Sequence, residues 1–326
     1  MTEQKRIDNG GAEAIRGFNF QKANLILLAI NNYMKPNFKI YVEAEDDIVV
    51  TFDDYKAIIQ VKKQSHTFNS LTKKEKPKGL NKDGSKKNTE KLSILEKNLS
   101  AGEKDDVFKI FVKDIGKTDK KRLIVKKPGQ ICVNLHQLND EAKTEILSKL
   151  PSEDKTKLDN FYLHISPLGE EYDDAQTYLI GTLNKNDISV DNNQGRAIIA
   201  ELTLNIDHKS QHIIQDISDK ELKYMDSEYF SNIFITSTAI IKFEKVLDTL
   251  QYGDIKSTRI KKERLKIDLT RVTLKEDIKG FIQSLDDVED LSNLEIVKIV
   301  LEKYLDKDDQ NLLIAIAIEA ICEIGE

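Results

Sequence analysis

Residues 38–63 read FKIYVEAEDDIVVTFDDYKAIIQVKK, and this stretch decides the fold of the chain. It contains three runs rich in β-branched and aromatic residues, at 38–42, 48–52 and 55–62, which are separated by acidic residues. Runs of this composition, bounded by turn residues, are typical of short strands. The stretch therefore predicts a meander of three strands.

The turn between the second and third strands determines which side chains meet. If residues 53–54 form a two-residue hairpin loop, Asp47 lies opposite Gln60. The same register places Glu45 opposite Lys62. Side chains repeat every second residue along a strand, so Gln60 and Lys62 point to one face together with Asp47. A three-residue loop would reverse this parity.

The predicted face combines a carboxylate, an amide and a lysine. The side-chain oxygens of Asp47 and Gln60 are ligands that a hard divalent cation such as Mg²⁺ prefers, and they leave positions for water and a phosphate oxygen. Lys62 adds a positive charge that can orient the attacking water or stabilise charge developing on phosphorus. These parts match phosphodiester hydrolysis. The residues alone are equally consistent with a polar turn at 46–47 and an exposed strand lysine.

A helix is expected before the meander, over residues 10–30. Its apolar residues recur at helical spacing and form one stripe. The stripe consists of Ala14, Phe18, Leu25 and Leu28. Gln21 lies within it, and a polar amide on a buried stripe needs a hydrogen-bond partner. Gln21 is therefore either a satisfied core residue or a part of the site.

The segment around and after the third strand is rich in lysine. Between residues 56 and 97 there are twelve lysines and four acidic residues, although the chain as a whole has a net charge of −6. A basic patch can bind DNA phosphates, and such binding weakens steeply with salt. The candidate DNA-binding residues are Lys63, Lys73, Lys74, Lys86 and Lys87. A solvated loop is the alternative interpretation, because the segment contains Pro, Gly and few apolar residues.

Three motifs in this region resemble those of a known nuclease family. They are Gly-x5-Gly-Phe-x-Phe-Gln at 11–21, Glu-x-Glu-Asp-Asp-Ile at 43–48 and Ile-Gln-Val-Lys at 59–62. The pattern resembles the nuclease domain of bacterial anti-phage double-strand DNA endonucleases. That domain belongs to the PD-(D/E)xK, restriction-endonuclease-like superfamily and is an effector of CD-NTase- and Lamassu-type defence systems.

The resemblance implies a metal-dependent endonuclease that cuts double-stranded DNA. Asp47, Gln60 and Lys62 match its catalytic set, in which the Asp and the Gln would bind Mg²⁺ or, as a substitute, Mn²⁺. Accessory positions are matched by Glu43 and Glu45 for metal binding and by Gln21. A DNA-cutting effector would harm its host if it were always active, so control by oligomerisation or by a partner sensor or ATPase is expected. A non-catalytic DNA-binding or scaffold subunit and an RNase are the alternatives.

The predicted element order is helix, three-strand meander, helix at 89–99 and strand at 107–112, an α/β order that matches the restriction-endonuclease-like core. A strand at 131–135, a helix at 140–150 and an edge strand at 161–165 follow. After residue 200 the periodicity becomes helical. The expected domains are a nuclease domain, residues 1–200, and a helical region for oligomerisation or partner docking, residues 201–326. The last helix, 309–324, is apolar on more than one face, so it is buried in the fold or against another chain.

The amino-acid composition limits the class of protein and the compartment in which it is expected. A chain of 326 residues with 39% hydrophobic content can bury a sizeable core. Its two cysteines are far apart, which argues against a disulfide framework and favours a cytoplasmic protein. No secretory pattern or membrane-spanning run is present. The expected partners are double-stranded DNA, further copies of the chain and a defence-system subunit, with no membrane.

Overall fold

A computed structural model describes residues 10–74, 91–125, 131–132, 135–169 and 171–324 of the chain. The chain divides into two compact units, one that ends at Phe234 and one that begins at Ile235. The first unit is built on a mixed β-sheet with helices, whereas the described residues of the second unit form helices. The predicted α/β fold with a helical C-terminal region is confirmed.

The described part of the first unit starts with a long helix, which is followed by a three-strand meander and then by a mixture of helices and strands. Its elements are α1 (Gly10–Asn32), β1 (Lys39–Val42), β2 (Ile48–Phe52), β3 (Tyr55–Lys62), α2 (Phe68–Thr72), α3 (Ile94–Ser100), β4 (Val107–Val112), α4 (Lys117–Lys120), β5 (Leu123–Val125), β6 (Leu135–Leu138), α5 (Asp140–Leu147), β7 (Phe161–Ile165), α6 (Tyr172–Lys185), α7 (Asn192–Ser210), β8 (Tyr224–Asp226) and α8 (Ser227–Thr249), which extends into the second unit. Short 3-10 helices cover Lys155–Asn160 and Ile217–Leu222.

In the described part of the chain, the strands form one 8-stranded sheet in the order β5-β6-β7-β4-β3-β2-β1-β8. β1, β2 and β3 are antiparallel neighbours, whereas β3 pairs in parallel with β4, and β4 with β7. The order α1, three-strand meander, α3 and β4 reproduces the restriction-endonuclease-like core expected from the sequence. β3, which carries Gln60 and Lys62, therefore lies inside the sheet, between β2 and β4.

The hairpin between β2 and β3 has the predicted register. Phe52 pairs with Tyr55, so the loop consists of two residues. Asp53 has a φ of 45°, and its short polar side chain makes this left-handed conformation more accessible than it is for most residues. Extending the register by one pair beyond β2 places Asp47 opposite Gln60. The parity on which the site prediction depends is therefore present.

α1 is exposed over its first turns. Leu25 and Leu28 are buried, as the apolar stripe predicts, but Phe18 is 55% exposed and Ala14 is exposed too. The expectation that the stripe is buried along its whole length is wrong. The reason is that Ala14 and Phe18 line a surface cavity instead of a closed core.

Two of the predicted strands need correction. The segment 161–165 forms β7, but β7 lies between β6 and β4 and is not an edge strand. Its Phe161 and Leu163 are buried in a core shared with α2, α3 and α5. Of the strand expected at 131–135, Leu135 is the first residue of β6, Ile131 and Cys132 are not in a strand, and 133–134 lie outside the described residues. β5 and β8 were not predicted, and β8, with three residues, is too short to show a period of two.

The second unit contains the remaining helices, which pack around one apolar core. They are α9 (Asp254–Arg264), α10 (Ile267–Thr270), α11 (Val272–Gln283), α12 (Asn293–Tyr304) and α13 (Gln310–Ile324), with a 3-10 helix at Val288–Asp290. α13 carries the predicted apolar segment, and its Leu313, Ile314 and Ile316 are fully buried within the unit. None of the helices in the described ranges is both long and apolar enough to cross a membrane.

The two compact units meet after Phe234, whereas the domain boundary near residue 200 is a prediction from the sequence. α7 packs on α1 and α6, and β8 pairs with β1, so both elements belong to the first unit. Helical periodicity at 196–206 could not reveal this, because it shows that a helix forms but not what the helix packs against. The oligomerisation or docking role of the C-terminal region stays a prediction.

Candidate active site

The predicted catalytic residues line one cavity of about 610 Å³ in the first unit. Asp47 comes from the loop between β1 and β2, and Gln60 and Lys62 come from β3. Side chains from α1, from the segment after β3 and from α3 complete the wall. These lining residues include Glu13, Gln21, Lys63, His66, Ser70 and Lys97.

The Asp47 carboxylate is oriented by the end of β3. Its Oδ2 accepts a hydrogen bond from the Val61 backbone N–H at 2.7 Å and lies 3.8 Å from Lys62 Nζ. Within the described residues, no donor contacts Oδ1. This second oxygen is therefore available to accept a hydrogen bond or to act as a ligand.

The Gln60 side chain is buried but not fully satisfied. It is 6% exposed, and its Oε1 has no hydrogen-bond partner among the described residues. A buried carbonyl oxygen without a donor costs free energy unless a ligand reaches it. Gln60 and Asp47 both line the cavity, and their side chains carry the kind of oxygen that a hard divalent cation takes as ligand.

The ligand set that these residues offer is small. In the described part of the chain, no group of three His, Cys, Asp or Glu side chains is arranged to hold a metal ion. A cation at Asp47 and Gln60 would therefore depend on water and substrate oxygens for its remaining positions. Mg²⁺ binds in this manner, since it retains several waters and takes few protein ligands.

Gln21 connects α1 to the loop that carries Asp47. Its Nε2 donates a hydrogen bond to the Asp47 backbone carbonyl oxygen at 3.3 Å, and the residue lines the same cavity. Gln21 is only partly buried. The structure therefore places this predicted accessory residue at the site and not in the middle of the core.

Glu43 and Glu45 do not join Asp47 at the cavity. Glu43 has a φ of 48° and lines a neighbouring cavity of about 460 Å³. Glu45 forms ion pairs with Lys56, at 2.7 Å, and with Lys220. Burial raises the pKa of Glu45, but the hydrogen bonds from these two lysines outweigh burial and the pKa is lowered overall. The metal-binding role predicted for both glutamates stays a prediction.

Asp46 has a different environment from Asp47. Its Oδ1 accepts a hydrogen bond from the Asp47 backbone N–H at 2.9 Å, and its Oδ2 accepts one from Asn98 Nδ2 at 2.8 Å. Burial raises the pKa of the Asp46 carboxyl, although the Asn98 hydrogen bond acts in the opposite direction. Asn98 is fully buried on α3 and also donates to the Ile58 carbonyl oxygen at 3.3 Å. It thus joins α3, β3 and the Asp47 loop.

The sequence did not reveal Asn98 or His66 as members of this region. The contact from Asn98 to Asp46 spans 52 residues, and no local pattern encodes such a distance. His66 lies just beyond β3, with its Nδ1 3.1 Å from Ser70 Oγ. Burial, and then the charge of Lys62, lower the pKa of His66, which favours a neutral ring at pH 7. Its nearness to Lys62 in the chain was the only signal available.

The predicted DNA-binding lysines are placed differently from one another. Lys63 lines the cavity, and its Nζ lies 3.8 Å from Glu13 Oε2. Lys73 forms the C-cap of α2, and Lys74 lies 3.5 Å from Glu96. Lys86 and Lys87 lie outside the described residues. Lys97, which was not among the candidates, adds another positive charge to the cavity wall.

Comparison with known proteins agrees with this fold. Residues 9–164 match the family described as Cap4, dsDNA endonuclease domain, and this range runs from α1 into β7. The chain therefore contains an anti-phage nuclease domain with a restriction-endonuclease-like fold. This confirms the family resemblance of the three sequence motifs. The whole chain is 34% identical to the Lamassu protein LmuA of Bacillus sp., over 98% of this chain and 99% of that protein. The chain belongs to the family of that protein, LmuA.

Proposed function

We propose that the protein is a Mg²⁺-dependent endonuclease that hydrolyses phosphodiester bonds of double-stranded DNA, with Mn²⁺ as an alternative ion. The observation that carries the proposal is that Asp47, Gln60 and Lys62 line one cavity, while the buried Gln60 Oε1 has no hydrogen-bond partner among the described residues. The match of residues 9–164 to a dsDNA endonuclease domain supports DNA as the substrate.

In this proposal each residue of the chain has a defined task. Asp47 and Gln60 hold the ion, and when bound the ion polarises a phosphate oxygen and lowers the pKa of a coordinated water. The Lys62 ammonium group, 3.8 Å from Asp47 Oδ2, stabilises the negative charge that develops on the phosphate. The hydrogen bond from the Val61 N–H holds the Asp47 carboxylate in place, so this carboxylate does not have to reorient when the ion binds.

Plasmid cleavage tests the proposal. Lys62→Ala should lower the Mg²⁺-dependent rate by about a hundredfold or more, because a charge aimed at the transition state is lost. DNA binding should weaken only slightly. The matched control is Lys104→Ala, which removes an exposed lysine that does not line the cavity. EDTA should abolish cleavage by the wild type.

The same assay separates the alternatives. A wild type that binds DNA but cleaves neither DNA nor RNA, alone or in any assembly, would show a non-catalytic DNA-binding or scaffold subunit. Duplex RNA digested in preference to duplex DNA would show an RNase. Equal cleavage by wild type and Lys62→Ala would remove Lys62 from the mechanism.

We further propose that the enzyme is a cytoplasmic anti-phage effector controlled by assembly. Membership of the LmuA family of Lamassu proteins supports a place in a multi-component defence system. Control would come from homo-oligomerisation or from a partner sensor or ATPase subunit that docks on the helical second unit. Light scattering of the purified chain, combined with cleavage assays at increasing protein concentration, tests the first route. A specific activity that does not change with concentration would favour control by a partner.

A further inference from the structure

The catalytic cavity contains an acidic side chain that the proposed reaction does not use. Among its described lining residues, the acids are Asp47 and Glu13, and the lysines are Lys62, Lys63 and Lys97. A bound cation would offset the charge of Asp47. The carboxylate of Glu13 has no such role, and a free carboxylate in a DNA cleft repels phosphates.

The position of Glu13 explains its presence. Its Oε1 lies 3.6 Å from Arg16 Nη1 on α1, and its Oε2 lies 3.8 Å from Lys63 Nζ, just beyond β3. One carboxylate thus stands between two cations that come from different elements. Both distances are longer than a hydrogen bond, so the carboxylate is held by charge alone and no hydrogen bond must break to release it.

We propose that Arg16 and Lys63 form a binding site for one DNA phosphate at the rim of the catalytic cavity, and that Glu13 occupies this site in the free protein. The inference rests on the proposed DNA-cutting function and adds a substrate contact to it. A phosphate presents two anionic oxygens as the carboxylate does, and an arginine fork can bind both of them. A DNA phosphate would therefore take the place of the Glu13 carboxylate between the two cations.

The exposure of the three side chains agrees with such an exchange. The side chains of Glu13 and Arg16 are 58% and 55% exposed, whereas that of Lys63 is 15% exposed. Ion pairs between exposed groups are weak and easily displaced. In the proposed exchange the less exposed Lys63 side chain keeps its position, and the Glu13 side chain turns into solvent when a phosphate binds.

A purely structural role for Glu13 makes the opposite prediction. Glu13 lies in the first turn of α1, where an acidic side chain stabilises the helix through its dipole. If that were its function, Glu13→Gln would weaken α1 and leave DNA affinity unchanged or reduced. If Glu13 competes with DNA, the same substitution increases affinity, so the sign of the effect decides between the two roles.

The test measures binding of a labelled DNA duplex by fluorescence anisotropy, without divalent ions and at several salt concentrations. Glu13→Gln should bind about three- to tenfold more tightly than wild type at low salt, and the difference should shrink at high salt. Arg16→Gln should bind about three- to tenfold more weakly and reduce the slope of log K against log salt by about one. Asp173→Asn is the matched control, because it removes one negative charge from the first turn of α6.

Each outcome supports or overturns the phosphate site. Tighter binding by Glu13→Gln but not by Asp173→Asn supports it. Unchanged or weaker binding by Glu13→Gln, with helix content unchanged by circular dichroism, overturns it, and so does an equal gain in Asp173→Asn. If the wild type cleaves plasmid DNA in Mg²⁺ while Glu13→Gln gains no affinity, the inference fails and the proposed function stands. If Glu13→Gln gains affinity but the wild type never cleaves, the proposed reaction fails and the phosphate site stands.

Discussion

Gln60 gives the candidate site an unusual charge balance. The Asp47 carboxylate and the Lys62 ammonium group form an ion pair at 3.8 Å, in which their charges offset each other, and the amide of Gln60 adds no charge. Since affinity for divalent cations rises with the number of charged ligands, the free protein should bind Mg²⁺ weakly. The phosphates of DNA would then supply the missing negative charge, so that metal and substrate bind cooperatively.

We expect Gln60→Glu to raise Mg²⁺ affinity in the absence of DNA by about tenfold, or about 1.4 kcal/mol, because it adds a second anionic ligand. Isothermal titration calorimetry measures the change. Gln60→Leu is the matched variant that keeps the volume but removes the oxygen, and it should bind no Mg²⁺ at this site. Equal affinity for Mg²⁺ in all three proteins would place the metal elsewhere.

At the scale of single residues, the sequence predicted the positions that follow from local strand and hairpin geometry. Asp47, Gln60 and Lys62 could be placed on one face because hairpin parity and a period of two are local rules. The exclusion of Glu45 from the cavity could not be predicted, because its partner Lys220 comes from a segment far along the chain. Asn98 was missed for the same reason.

The loop between β1 and β2 is held in place by ion pairs of Glu45 and by a hydrogen bond to Asp46. On one side Glu45 pairs with Lys56 of β3 and with Lys220, and on the other Asp46 accepts a hydrogen bond from Asn98 of α3. Local patterns predicted the elements that flank this loop. They could not predict β8 or the interior position of β7, because sheet order depends on long-range pairing.

Glu45 should make the stability of the first unit depend on pH. Its pKa in the folded state is lowered from 4.5, so its contribution is present above the unfolded-state pKa and is lost as the pH falls through the lower folded-state value. Glu45→Gln should therefore reduce stability by about 1 kcal/mol at pH 7 and by less near pH 3. Urea unfolding at the two pH values measures this. Glu103→Gln, at an exposed glutamate, should have little effect at either pH.

At the scale of the whole molecule, the described lining of the candidate site belongs to the first unit, whereas α9, α11 and α12 pack against α13 in the second. Sequence periodicity predicted the last helix, α13, but gave no information on the partners of α7 and β8, which pack with the elements of the sheet unit.

Ile316→Ala tests the division into units. Ile316 is fully buried in α13, so the substitution should destabilise the second unit by about 2–5 kcal/mol through lost burial and a cavity. Hydrogen exchange should then increase in residues 235–324 and remain unchanged in α7 and β8. Leu305→Ala, at a residue that is 53% exposed, is the matched control and should alter exchange little. Faster exchange in α7 to the same extent would argue for a boundary near residue 200.

One outer strand of the sheet limits how copies of the protein can associate. β8, at one edge, spans three residues. So short an edge presents few free backbone donors and acceptors, which makes it a poor template for strand addition and for fibril growth. An assembly of this chain at the β8 edge would have to be built through side-chain surfaces, which can be made specific and reversible, and not by extending the sheet from one molecule to the next.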